Sequence, residues 1–188
     1  DAVGPVAEIV IVGSDHPDHF VINHDNNGFY CLAEPVSVTA KYADNSTTTC
    51  YTGTITMDTQ TGTGGWGLLN GSGSLLDPVG NDGLATYTFS AADNGVAGLS
   101  LYYPEGTATF DIDAYQDAIR DNDAEGDITF AAGYTITASE LIEPPPNDPI
   151  STQIAGTAFD VHITAFGTLP NDSTCGIIET FDGSKTLT

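Results

Sequence analysis

Positive charge is what this sequence has least of. Only 3 of its 188 residues are Lys or Arg, against 26 Asp and Glu, for a formal net charge of −23. Such a surface has almost nothing with which to replace the counterions of a phosphate backbone, so nucleic acid and anionic membrane surfaces are poor partners, and no nucleic-acid partner is expected. Long apolar runs are missing as well. The longest aliphatic stretch, Ile9-Val10-Ile11-Val12, is far too short to span a bilayer, which excludes helical membrane insertion. No signal peptide is visible, and a chain that starts at Asp1 reads as already processed. The marks of catalysis are absent too: there is no Gly-x-Ser-x-Gly elbow, no phosphate loop and no Cys/His nucleophile context. The 4 histidines form no metal pattern. His16 and His19 are spaced i, i+3, but Pro17 between them breaks any helix. His162 alternates with Val161 and Ile163 and so faces the other side of its strand. Carboxylate pairs such as Asp111/Asp113 have the composition of a glycosidase pair, but pairs this common in an acidic chain carry little weight. The expectation is a protein that is not an enzyme.

What is present is β-structure. Hydrophobic residues make up 40% of the chain, enough for a buried core despite the charge. The organising stretch is 32–57, because a version of it returns near the end. Val36-Ser37-Val38-Thr39-Ala40 matches Val161-His162-Ile163-Thr164-Ala165, and Tyr51-Thr52-Gly53 matches Phe181-Asp182-Gly183. Each copy reads as a period-2 strand, a turn and a second period-2 strand. Further strands are expected at 7–12, 20–23, 83–90, 96–103 and 107–113, about seven in the first unit at the spacing of a β-sandwich. The stretch 62–73 is too Gly-rich to be regular throughout. The expected organisation is an N-terminal strand and linker at 1–16, a first domain at 17–115, an acidic linker at 116–127, and a second domain at 128–188. That second domain stops after its third strand and is incomplete within this chain. Pro144-Pro145-Pro146 is a stiff segment inside it.

The sharpest motif is Asp121-Asn122-Asp123-Ala124-Glu125-Gly126-Asp127. Oxygen ligands at alternate positions, with Gly where the chain must turn, suit a calcium shell of six to eight oxygens. The motif copies the first half of an EF-hand loop, but the bidentate Glu of the twelfth position is replaced by Ala132. Any site must therefore recruit Asp111, Asp113 or Asp117, the nearest acids in sequence. A plain solvated linker stands as the alternative. Asp15, Asp18, Asp25 and Asn26 form a weaker oxygen cluster, and so do Asp77, Asn81 and Asp82; both sets also suit ordinary turns. Thr52, Thr54 and Thr56 line one strand face that has the chemistry for sugar or ice, or is simply a solvent face.

The pattern of Asp18-His19-Phe20-Val21-Ile22, Pro35-Val36-Ser37-Val38-Thr39-Ala40, Tyr51-Thr52-Gly53-Thr54-Ile55 and Ala91-Ala92-Asp93-Asn94-Gly95 resembles bacterial Ig-like repeats of surface proteins, including invasin-like adhesins. His24-Asp25 with Cys31, and Thr174-Cys175-Gly176-Ile177-Ile178-Glu179, are similar to the MSHA-pilus biogenesis (MshQ-type) surface proteins. The resemblance covers most of 18–114 and 152–187. It implies all-β, Ig-like antiparallel β-sandwiches in tandem, on the cell surface or outside the cell. Family members often bracket the second-to-third-strand turn with a Cys pair; Tyr42 and Thr47 hold those places here.

The odd count of 3 cysteines narrows within that frame. If the strands on either side of Asp44-Asn45 pair as a hairpin, Cys50 lies roughly 30 Å from Cys31 at about 3.3 Å per residue. A bridge needs Cα atoms within about 7 Å, so Cys31–Cys50 is rejected. In head-to-tail sandwiches the first-to-second-strand loop of one domain faces the second-to-third-strand turn of the next, and Cys31 and Cys175 occupy those places. Three free thiols are the alternative. The functional expectation is an extracellular structural protein, a calcium-stiffened subunit of a surface filament or adhesin stalk. Its partners are copies of itself, head to tail through a donated strand 7–12, or neighbouring repeats. A carbohydrate-binding module or accessory domain of a secreted hydrolase, with a polysaccharide ligand, is the rival.

Overall fold

A computed structural model describes residues 16–139, 150–153, 155–159, 161–169 and 174–179. The strand expected at 7–12, the proline run 144–146, the turn at 170–172 and the closing strand 181–187 lie outside the described residues. Two antiparallel sheets pack face to face as a β-sandwich. Numbered in chain order, the first sheet sets β1 (His19–Asn23) beside β3 (Glu34–Lys41), then β8 (Val96–Tyr102) and β5 (Gly65–Asn70). The second runs β11 (Ile119–Arg120), β10 (Asp113–Gln116), β4 (Thr54–Asp58), β7 (Leu84–Thr88) and β6 (Ser74–Leu76). A small third sheet, β2 (Asn27–Phe29), β12 (Ile128–Ala131) and β9 (Ala108–Phe110), closes one end.

Alternation decides what lies inside. In β3 the side chains of Val36, Val38 and Ala40 are buried while Ser37 and Thr39 are not. Ala97, Leu99 and Leu101 of β8 do the same beside them. From the second sheet Ile55, Met57, Ala85, Tyr87 and Ala114 meet this layer in one core. Each large aliphatic side chain removed from water contributes about 1.5–3 kcal/mol, so one register slip would forfeit a whole face. Tyr103, Phe110 and Phe130 seal the end, with ring centroids 4.8 to 5.8 Å apart. Gly28 lies under that seal: a Cβ there would stand 2.6 Å from the Phe130 ring.

Three expectations are corrected and one is refined. The strand after the Asp44-Asn45 turn does not return against β3. Only the Lys41–Thr47 bridge forms, and the chain crosses to the other sheet, where β4 pairs with β7 and β10. Buried Thr48 and Tyr51 lie along that crossover, and the Tyr51 hydroxyl donates to Gln116 at 2.8 Å. The Gly-rich stretch is regular only in part: it holds β5, and β6 follows it. Trp66 anchors it, its ring N–H donating to the Gly83 carbonyl at 3.0 Å and its backbone N–H to the Asp77 carboxylate at 2.9 Å. Residues 116–127 do not form a free linker: β11 folds back on β10, and Asp121 bridges to Phe20. Finally, Ile128 and Phe130, assigned by sequence to a second domain, belong to the first core, because β12 pairs with β2 in parallel and with β9.

The later sheet consists of β13 (Tyr134–Ser139), β14 (His162–Thr168) and β15 (Cys175–Ile177), all antiparallel. The repeated segment Val161–Ala165 thus forms much of its central strand, as Val36–Ala40 does between β1 and β8. At the junction the Gly133 backbone passes against the Phe29 ring with no room for a Cβ.

Candidate metal centre

Six carboxylates were singled out by sequence: Asp111, Asp113, Asp121, Asp123, Glu125 and Asp127. The fold gathers them from two segments. Asp111 stands in the break between β9 and β10, Asp113 opens β10, and the others follow β11. Carboxylate oxygens of Asp111, Asp113 and Asp123 lie within 4.8 Å of one another. Two oxygens on one calcium ion, each 2.3–2.6 Å from it, are at most about 5 Å apart, so this triad could hold one ion. The sequence motif alone was insufficient, and Asp111 and Asp113 supply the rest of the triad. Asp117 stays outside it, its charge acting on Tyr51 instead.

The remaining acids crowd the triad. Asp121 uses one oxygen to accept the Ala114 N–H at 3.0 Å, while its other oxygen is buried without a partner. One oxygen of Asp111 and both of Glu125 are in the same condition. Burial above all, then the charges of Asp121, Asp111 and Asp123, push Glu125 up to about 7. Burial likewise raises Asp111 and Asp121, with Asp123, Asp113 and Asp127 adding to Asp111. Buried carboxylate oxygens with neither a donor nor a cation are costly. Either a proton or a metal relieves them. The donor set is all oxygen, which suits a hard divalent cation.

Sequence reading placed Asn26 in a separate weak cluster and missed its role. Its side-chain N–H groups donate to the Glu125 carbonyl at 2.8 Å and the Asp127 carbonyl at 3.0 Å, fixing the acidic loop to the β1–β2 turn. Asn26 itself sits at φ 67°, which Asn tolerates better than most residues. His24, beside it, is 9% exposed, and its Nδ1 accepts the Asn26 N–H at 3.1 Å. That bond leaves the neutral ring's proton on Nε2, so His24 is a poor ligand for the cluster. The weaker set Asp77, Asn81 and Asp82 is spent on turns. Asp77 accepts from Trp66 and Gly80, Asn81 from Gly64, and Asp82 from Leu84. A cavity of about 410 Å³ was invisible in sequence; His24, Asp25 and Glu34 line part of it. There burial, the Asp25 charge and a hydrogen bond with Asp25 push Glu34 up to about 7.

The second candidate pair is joined. Cys31 and Cys175 form a disulfide, with Cα atoms 5.4 Å apart and a sequence separation of 144. Cys50 is free and exposed. Cys31 follows β2 and Cys175 begins β15, so the bridge fastens the end of the first sandwich to the later sheet.

No family model matches the chain, and neither a curated protein nor a solved structure matches it. The site rests on its own chemistry. Among the described residues, no helix is long and apolar enough to cross a membrane.

Proposed function

We propose that this chain is an extracellular structural module, a calcium-stiffened Ig-like subunit of a surface filament or adhesin stalk. One observation carries the reading: the two parallel neighbours β2 and β12 are each joined covalently to the later sheet. β12 continues through Ala132 and Gly133 into β13, while β2 continues through Tyr30 into Cys31 and its bridge to Cys175. Two tethers side by side resist bending and twisting that a single linker permits. The opposite end of the same ribbon carries the acidic cluster, about 13 Å away at about 3.3 Å per residue. Asn26 precedes β2 and Asp127 precedes β12, so a cation bound there fixes the point from which both tethers start.

Strand order supports the Ig-like part of the reading. β1-β3-β8-β5 takes the places of the A-B-E-D sheet, and β11-β10-β4 those of G-F-C. The chain departs by forming β5 before the outer strands β6 and β7. Disulfides persist in oxidising compartments, which favours a place outside the cell. Among the described residues β13 and β15 are the edges of the later sheet, where a strand from another copy, such as 7–12, would add. Such a head-to-tail contact propagates as a filament unless it closes. Electron microscopy of native material in millimolar calcium separates the outcomes. Linear assemblies lost on deleting residues 1–13 support donated-strand polymerisation. Assemblies that persist without those residues rule it out, and single particles favour the stalk.

A further inference from the structure

The outer face of the five-stranded sheet carries a row of side chains that the structural reading does not use. Register pairs Arg120 with Tyr115, Tyr115 with Thr56, Thr56 with Thr86, and Thr86 with Leu76. These five residues therefore form one straight rung across all five strands, about 19 Å long at about 4.8 Å per strand. They point away from the core, because their neighbours Ile55, Met57, Ala85, Tyr87 and Ala114 point into it. Two hollows flank the centre of the rung and share Thr56 and Tyr115. One, of about 420 Å³, is polar and is completed by Thr54, Gln116, Asp117 and Arg120. The other, of about 310 Å³, is apolar, with Leu76, Pro78 and Leu84 in its wall.

The polar end is held in shape. The Arg120 guanidinium lies 4.6 Å from the centre of the Tyr115 ring, and Gln116 is fixed by the Tyr51 hydroxyl at 2.8 Å. Thr54 is likewise fixed, its hydroxyl 2.8 Å from that of Thr88. Planar polar groups on a rigid sheet, next to an aromatic ring and a row of hydroxyls, match vicinal hydroxyl groups along an extended chain. The carboxylate accepts two O–H bonds, the guanidinium donates to ring and hydroxyl oxygens, and the apolar hollow takes C–H faces. Charge narrows the ligand further. Among the described residues Arg120 is the only Lys or Arg on a face that also bears Asp58, Asp82, Asp113 and Asp117, in a chain of net −23, so a polyanion is repelled.

We propose that this rung is a binding site for a neutral polysaccharide chain lying across the strands. The site is distinct from the acidic cluster and does not depend on the structural role argued above. The test is an array of neutral oligosaccharides, namely β-glucan, xylan, mannan and chitin hexamers, with polygalacturonate as the anionic control. The full chain should bind at least one neutral member and not the control. Tyr115→Ala should weaken that binding at least tenfold, and Thr56→Val about threefold, while the melting temperature of each variant stays near that of the parent. Asp123→Asn, with calcium chelated, should leave it unchanged, so failure of the metal proposal and of this one are separable. Absence of binding to every neutral member overturns the proposal. So does binding only to polygalacturonate, or binding that survives both Tyr115→Ala and Arg120→Ala. Capture of an extended peptide in place of any glycan, lost in Tyr115→Ala, would overturn it as well and assign the groove to a protein partner.

Discussion

Asp93 illustrates how one residue's role depends on burial. Its segment, Ala91-Ala92-Asp93-Asn94-Gly95, stood out in sequence as part of the resemblance to Ig-like repeats; the structure makes it a buried knot. The carboxylate is 8% exposed and accepts from the Tyr87 hydroxyl at 2.9 Å, the Ser90 N–H at 2.8 Å and the Ser72 N–H at 2.5 Å. Burial alone would raise it, but these donors win and hold Asp93 below the usual carboxylate range. Tyr87, fully buried and tied to the same carboxylate, is pushed up to about 12. A depressed carboxyl stabilises the fold above its unfolded pKa, and that contribution is lost as pH falls through the folded value. Asp93→Ala should therefore cost about 3 kcal/mol at pH 7, since three donors lose a charged acceptor. In urea titrations the gap to the parent should shrink toward pH 3. A gap of the same size at both pH values would show that cavity formation, not the charge, is responsible.

At the scale of elements, the later sheet depends on the bridge that fastens it. Closing a loop of 144 residues restricts the unfolded chain by about 5 kcal/mol in the chain-entropy treatment. Cys175→Ser should leave the packing of the first core intact, because that core contains no part of the later sheet, so any lowering of its melting temperature comes from the freed unfolded chain. The later sheet should instead become sensitive to proteolysis near residues 132–133. Equal protection of the parent and Cys175→Ser would mean that backbone packing at Gly133 and Phe29 holds the joint without the bridge. Elements with clean alternation were legible in sequence: β1, β3, β7 and β8 lie where Phe20, Val36, Tyr87 and Leu99 place them. The Cys31–Cys175 pairing was legible too, from where the two cysteines fall relative to strands. What could not be read was long-range partnership. Nothing local tells that β4 leaves β3 for another sheet, or that Ile128 and Phe130 fill the first core. Parallel pairing of β2 with β12 joins residues about 100 apart, with Gly28 beneath the Phe130 ring and Asn26 tied to the Glu125 and Asp127 carbonyls. The acidic motif was visible as a ligand set, but its geometry waits on the break at Asp111–Ile112 and on the Asn26 anchor.

For the whole molecule the dominant quantity is the net −23, and the acidic loop beside β10 is one place where that charge crowds. Glu125, raised to about 7, and Asp111 and Asp121, also raised, make the cluster's charged form the unfavourable one in the folded state. A carboxyl whose folded pKa lies above its unfolded value contributes stability that is full below the unfolded pKa and lost as pH rises through the folded one. In chelator, the melting temperature should therefore fall between about pH 4.5 and pH 7 as Glu125 ionises. Millimolar calcium should change the sign of that trend. The ion binds the deprotonated cluster, and mass action then stabilises the fold more at pH 8 than at pH 5. Asp113→Asn with Asp123→Asn separates the two effects. By removing like charge, the double variant should melt above the parent in chelator at pH 8, yet gain almost nothing from calcium. A parent protein whose melting ignores calcium at pH 8 would reduce the cluster to a solvated acidic surface. A double variant that keeps the full calcium increment would place the ion elsewhere on the chain.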